Sequence, residues 1–163
     1  MSAAYRPLRA EALRAAMGHF ATGVTVVTAA GQAPHGSTVN AVTSVSLDPP
    51  LLLVCLREDS HTLAALLDGG HFGVNVLREH QQALARQFAH RGADWDGVRY
   101  ADGPVTGVPV LAEALATLEC AVHDIADGGD HRIIVGRILA VEHPEEHVPP
   151  LLFYRGAYTR LGA

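Results

Sequence analysis

Two long apolar and β-branched runs, LATLECAVHDIA (115–126) and HRIIVGRILAVEH (131–143), are separated only by Asp127-Gly128-Gly129-Asp130. Aspartate and glycine supply the positive-φ backbone that a tight hairpin needs. Two strands joined this way must pair antiparallel, since a parallel partner would need a crossover of a dozen or more residues. The remaining strand-like runs are GVTVVTA (23–29), HGSTVNAVTSVSL (35–47, one or two strands), LLLVCLR (51–57, a fully buried strand), FGVNVL (72–77) and PLLFYRGAYTRL (150–161, turning at Arg155-Gly156). Asp48-Pro49-Pro50 breaks the ladder between two of them.

Helical signals are short. Pro7 suits a first turn, and Leu8, Leu13, Met17 and Phe20 follow one helical face up to and past Gly18. Ser60 is a candidate N-cap for a helix carrying Leu63, Leu66 and Leu67, which Gly69 and Gly70 end. Residues 79–90 suit a helix with Leu84 and Phe88 on its buried side, and residues 91–107 show no period and are expected to form a loop. About seven strands and two or three short helices predict a mostly β fold, a closed antiparallel barrel or sandwich rather than a βαβ repeat.

At 163 residues, 48% hydrophobic and 18% charged, the chain is expected to bury one core in one domain, residues 1–163. A net charge of -5 with no Lys/Arg cluster argues against nucleic acid. The N-terminal stretch is charged and amphipathic, unlike a secretory signal, and no run approaches a membrane span; a soluble cytoplasmic protein is expected. Cys55 and Cys120, far apart in apolar surroundings, suit buried thiols. His143 and His147, flanked by Glu142, Glu145 and Glu146, have the spacing of a metal helix, but Pro144 and Val148-Pro149-Pro150 favour a charged surface loop, so no metal site is expected. No glycine fingerprint lies between a strand and a helix, which excludes the doubly wound mode of holding a dinucleotide.

The densest chemistry lies in Gly36-Ser37-Thr38-Val39-Asn40-Ala41-Val42-Thr43-Ser44-Val45-Ser46-Leu47-Asp48-Pro49-Pro50. Small hydroxyls and an amide on barrel strands need partners. Cross-strand Ser and Thr pairs would satisfy them. So would a planar ligand whose edge alternates donors and acceptors, as an isoalloxazine does. Residues 36–47 hold no titratable group, which counts against hydrolysis.

The order T-x-N-(S/A)-x-x-S-V-S-x-x-P-P, then Ser60 and Thr62, then F-x-V-N-V-L (72–77) and Gly129-Asp130-His131, resembles the flavin reductase family, the reductase components of two-component flavin monooxygenases. TGVTVVT (22–28) and LLFYRGAY (151–158) fit the same pattern, so the likeness runs from about residue 14 onward. It implies an antiparallel split β-barrel of the FMN-binding type, working as a homodimer with each site between two subunits. It also implies NADH or NADPH as hydride donor, FMN or FAD as acceptor, and a separate monooxygenase as partner.

By the same resemblance, Thr38, Val39, Asn40 and Ala41 would line the ring through their backbone. Ser44, Val45 and Ser46 would follow the ribityl chain, with Cys55 and Leu56 nearby. Ser60, His61 and Thr62 would take the phosphate, with Arg91 as its cation, and His131 would place the nicotinamide as the catalytic residue. Ala41 stands where many members carry serine, which removes one side-chain contact. Two other roles suit the same residues: an oxidoreductase that retains FMN and reduces another acceptor, and a flavin-binding module without turnover.

Overall fold

The computed structural model describes residues 8–144 and 147–162. Pro7, and Glu145 and Glu146 beside the paired histidines, lie outside them. The strands are β1 (Thr22–Gly23), β2 (Thr25–Ala29), β3 (His35–Val39), β4 (Val42–Leu47), β5 (Pro50–Arg57), β6 (His71–Val76), β7 (Tyr100–Asp102), β8 (Pro109–Leu111), β9 (Ala116–Asp127), β10 (His131–Glu142), β11 (Leu152–Tyr154) and β12 (Ala157–Thr159). The α-helices are α1 (Ala10–Met17), α2 (His61–Gly69) and α3 (Gln82–Phe88).

One seven-stranded antiparallel sheet, ordered β3-β2-β6-β9-β10-β5-β4, carries the molecule. Its two edge strands, β3 and β4, are consecutive in the chain and linked only by Asn40 and Ala41. That link spans at most roughly 11 Å, so the sheet must curl until its edges nearly meet. The Cys55 N–H donates to the Ala41 carbonyl at 3.1 Å, which carries the β5–β4 pairing into this link, yet no ladder joins β3 to β4. The barrel is therefore split rather than closed, with Asn40-Ala41 bridging the split.

Its interior holds Val27, Leu52, Val54, Leu56, Phe72, Val74 and Ile134, with Leu63 and Leu66 of α2 packed among them. A second cluster, Val24, Val26, Leu77, Ala85, Phe88, Leu111 and Leu151, lies between β2 and α3, so every residue of β2 is buried. In β5, by contrast, burial alternates: Leu52, Val54 and Leu56 enter the core while Leu51, Leu53 and Cys55 are half-buried on the other face. The fully buried strand expected here is thus a one-faced strand whose second face happens to be apolar. Asp48 and Pro49 form a two-residue turn, and Pro50 pairs with Leu47. The ladder turns there instead of breaking, because a proline is tolerated at the first residue of a strand.

The segment expected to be a bare loop contains β7, which pairs with β8. Two buried polar side chains anchor this hairpin and its turn. Asn75 on β6 accepts the Leu111 N–H at 2.8 Å. Glu119 on β9 accepts the Thr106 N–H at 2.7 Å and the Thr106 hydroxyl at 2.6 Å.

The other helical expectations hold with adjusted ends. Ser60 caps α2, accepting the Leu63 N–H at 3.3 Å, and Gly70 ends it at φ 68°. The 79–90 helix starts as a 3-10 turn, Glu79–Gln81, where the Gln81 side chain accepts the Arg78 N–H at 2.8 Å, and continues as α3 to Phe88. Helix α1 buries no residue in the single chain, leaving Leu13, Met17 and nearby Phe20 exposed. Among the described residues no helix is long and apolar enough to cross a membrane, and no cluster of potential metal ligands occurs.

Both cysteines are free thiols. Burial, with repulsion from the Glu119 carboxylate, pushes the Cys120 thiol up to about 12. This lies above the unfolded value, so the stabilisation from keeping a neutral thiol is complete below about pH 8.5 and is lost as pH rises toward 12. The thiolate is the reactive form, so a disulfide reagent at about pH 8 is expected to leave Cys120 untouched until the protein unfolds. Cys55, half-buried and shifted up less by burial, is expected to react in the native state. Two fast native thiols would contradict this packing.

Candidate functional site

A cavity of about 300 Å³ opens at the split. Its walls come from residues 35–41 on β3 and the bridging pair, 55–57 and 59–62 between β5 and α2, 88–93 after α3, and His131 at the start of β10. Each element delivers its side chains for a local reason. Gly36 lets β3 press onto α3: a Cβ there would lie 2.7 Å from a Phe88 ring carbon. Phe88 in turn stacks edge-on against Trp95 (4.9 Å), and Trp95 against Tyr100 (4.9 Å), so Trp95 anchors the following loop from behind the wall.

One end of the cavity is a hydroxyl cluster. The Ser37 hydroxyl lies 2.9 Å from that of Thr62 and 3.3 Å from that of Ser60, at the N-terminus of α2. Thr38, on the opposite face of β3, spends its hydroxyl on the Ala85 carbonyl at 2.6 Å, tying the strand to α3. The charged rim holds Arg57, Asp59 and Arg91. Arg57 grips Asp59 through two hydrogen bonds, of 3.0 and 3.2 Å, and Arg91 approaches it at 3.4 Å. The Arg57 hydrogen bonds hold the Asp59 carboxyl below the usual carboxylate range, and both guanidinium charges add to this.

On β10, beside Arg57, His131 Nδ1 lies 2.7 Å from the Asp130 carboxylate, and this hydrogen bond holds the Asp130 carboxyl low. His35, His61 and His90 also line the cavity. With two arginines against one carboxylate, Asp59, among the described residues that line it, the cavity favours an anion.

Thr38, Val39, Asn40, Ala41, Cys55, Leu56, Ser60, His61, Thr62, Arg91 and His131 all meet at this cavity. Ser44, Val45 and Ser46 do not: they sit beyond the split on β4, where Ser44 and Val45 are exposed. Ser37, Arg57 and Asp59 line it although the sequence reading passed over them. The alternation of β3 could have flagged Ser37, because it shares a face with Val39 and not with Thr38.

Residues 17–162 match the family described as "Flavin reductase like domain". The chain is 43% identical over 157 residues to the reductase component of the 4-nitrophenol 4-monooxygenase/4-nitrocatechol 2-monooxygenase of Rhodococcus opacus, covering 94% of this chain and 82% of that protein. It is 45% identical over 149 residues to the flavin reductase (NADH) of Kitasatospora aureofaciens, covering 88% and 78% respectively. The solved structure of the NADH:FAD oxidoreductase of Streptomyces globisporus superposes with a TM-score of 0.90 at 37% identity, over 100% of this chain and 99% of that one. The match takes in both edges of the split and every wall of the cavity between them, and on that ground the chain belongs to the flavin reductase-like domain family.

Proposed function

We propose that the chain is an NAD(P)H-dependent flavin reductase that supplies reduced FMN or FAD to a separate monooxygenase. The observation that carries this reading is the cavity at the split, which brings together a hydroxyl cluster, two arginines, the backbone of the bridge and an imidazole. Bound flavin supplies the electron-accepting ring; everything else falls to this chain's residues. Ser37, Ser60, Thr62 and Arg91 suit the phosphate, because hydroxyls, the first N–H groups of a helix and a guanidinium all donate to an anion. The backbone of Thr38–Ala41 suits the polar edge of the ring. His131 suits the placing of the nicotinamide. No protein acid or base is required, in keeping with the untitratable stretch 36–47. NADH as the donor is supported by the relatives named as NADH-dependent.

The proposal includes a single domain working as a homodimer in the cytoplasm. Val45 and Leu47 on β4, Leu139 and Val141 toward the same end of β10, and Met17 and Phe20 near α1 are large apolar residues left exposed in one chain, as a surface covered by a second copy would be. Such packing would also give Ser44–Ser46 a partner surface. Two free thiols suit a reducing compartment.

The test is NADH or NADPH oxidation in air by the purified protein, first without flavin, then with FMN or FAD. Oxidation that rises and saturates with added flavin is expected, and the saturation curves rank the flavins. Full activity without added flavin would move the chain to a retained-FMN oxidoreductase. No flavin-stimulated oxidation of either nucleotide would remove the reading.

A further inference from the structure

We propose that Asp59 is an electrostatic counterweight: it opposes the cavity's hold on the phosphate of a bound flavin and so sets how fast phosphorylated flavin is released. The proposal rests on the flavin reading above and adds a positioning residue to it. Asp59 is the one carboxylate lining the cavity among the described residues. Its neighbour Glu58 is turned aside, with both oxygens committed to Arg132 at 2.7 Å. Asp59 instead precedes the Ser60 cap and holds Arg57 and Arg91, the two arginines of the rim, by contacts of 3.0 to 3.4 Å.

The cation best placed for a phosphate is therefore already paired with an internal anion. An incoming phosphate must share Arg91 with Asp59 and lie near its charge. A protein that retained its flavin would gain by leaving these arginines unopposed. One that must hand flavin on gains from the opposition. An ion pair this exposed contributes little to folding, so stability alone gives it no strong reason to exist.

Equilibrium titration and stopped-flow release should be measured for FMN and for riboflavin, which lacks the phosphate, on the unsubstituted protein, Asp59→Asn and Asp59→Glu. In Asp59→Asn the FMN Kd and release rate are expected to fall about tenfold at low ionic strength, the size of a like-charge interaction over a few ångströms near a surface. Riboflavin should change by less than about twofold, Asp59→Glu should stay near the unsubstituted values, and roughly 0.5 M salt should erase most of the FMN gain. Equal shifts for FMN and riboflavin, or weaker FMN binding in Asp59→Asn, would overturn the assignment while leaving the flavin reading intact. Failure of the unsubstituted protein to bind either flavin would overturn both.

Discussion

Replacing Asn75 with leucine is expected to lower the unfolding free energy by about 3–5 kcal/mol, although the side chains are close in size. Asn75 is fully buried, and its amide joins three parts of the fold. Its Nδ2 donates to the Val26 carbonyl at 3.1 Å and to the Thr28 hydroxyl at 3.2 Å, both on β2. Its Oδ1 accepts the Leu111 N–H at 2.8 Å, holding β8 against the barrel. Leucine would leave that buried N–H with no acceptor and deprive Thr28 of a donor, while Thr28 keeps only its own bond to Pro109. Unmet buried donors cost their full desolvation, which is why the loss exceeds the net worth of any one of these bonds. Urea denaturation should show a lower midpoint at an unchanged slope, and protease should cut more readily within residues 97–107 as the β7–β8 hairpin loosens. A change below about 1 kcal/mol would mean that the network adds no net stability.

What the sequence disclosed divides along the range of the interactions involved. The 127–130 hairpin was legible because its signal is local: Gly129 takes φ 80° and donates its N–H to Asp127 at 2.9 Å. The Arg155-Gly156 turn, with φ of 49° and 77°, and the Ser60-capped α2 were legible on the same ground. Strand order was not, since nothing local says that β3 and β4 end up on opposite edges. That arrangement also explains why a continuous motif parts company in space, with Thr38–Ala41 on the cavity and Ser44–Ser46 beyond it. Arg57 and Asp59 escaped notice because charges at a strand end ordinarily face water, and only the approach of residue 91 across the mouth makes them part of a site. The uncovered face of α1 shows the converse: its apolar pattern was plain, but nothing among the described residues of one chain buries it.

Replacing His131 with alanine is expected to slow nicotinamide-dependent flavin reduction by about 10- to 100-fold while changing flavin affinity by less than about threefold. Hydride transfer needs two rings held face to face at roughly 3–3.5 Å, and small displacements there cost rate steeply. His131 lines the cavity but takes no part in the hydroxyl cluster of Ser37, Ser60 and Thr62, so its expected role is to place the nicotinamide rather than to hold the phosphate. Two contacts fix its position: its backbone pairs with Arg57 on β5, and its Nδ1 meets the Asp130 carboxylate. Asp130 is almost wholly exposed, and a hydrogen bond to so solvated a carboxylate orients the ring only weakly. Asp130→Asn should therefore cost less than about fivefold, well short of the loss in His131→Ala. Single-turnover reduction, followed by flavin absorbance against nicotinamide concentration, separates placement from affinity. If His131→Ala weakens flavin binding as much as it slows reduction, the residue belongs to the flavin's own wall. If neither changes, the imidazole is a solvated strand-start residue, and the nicotinamide must be placed by another part of the cavity or by a second subunit.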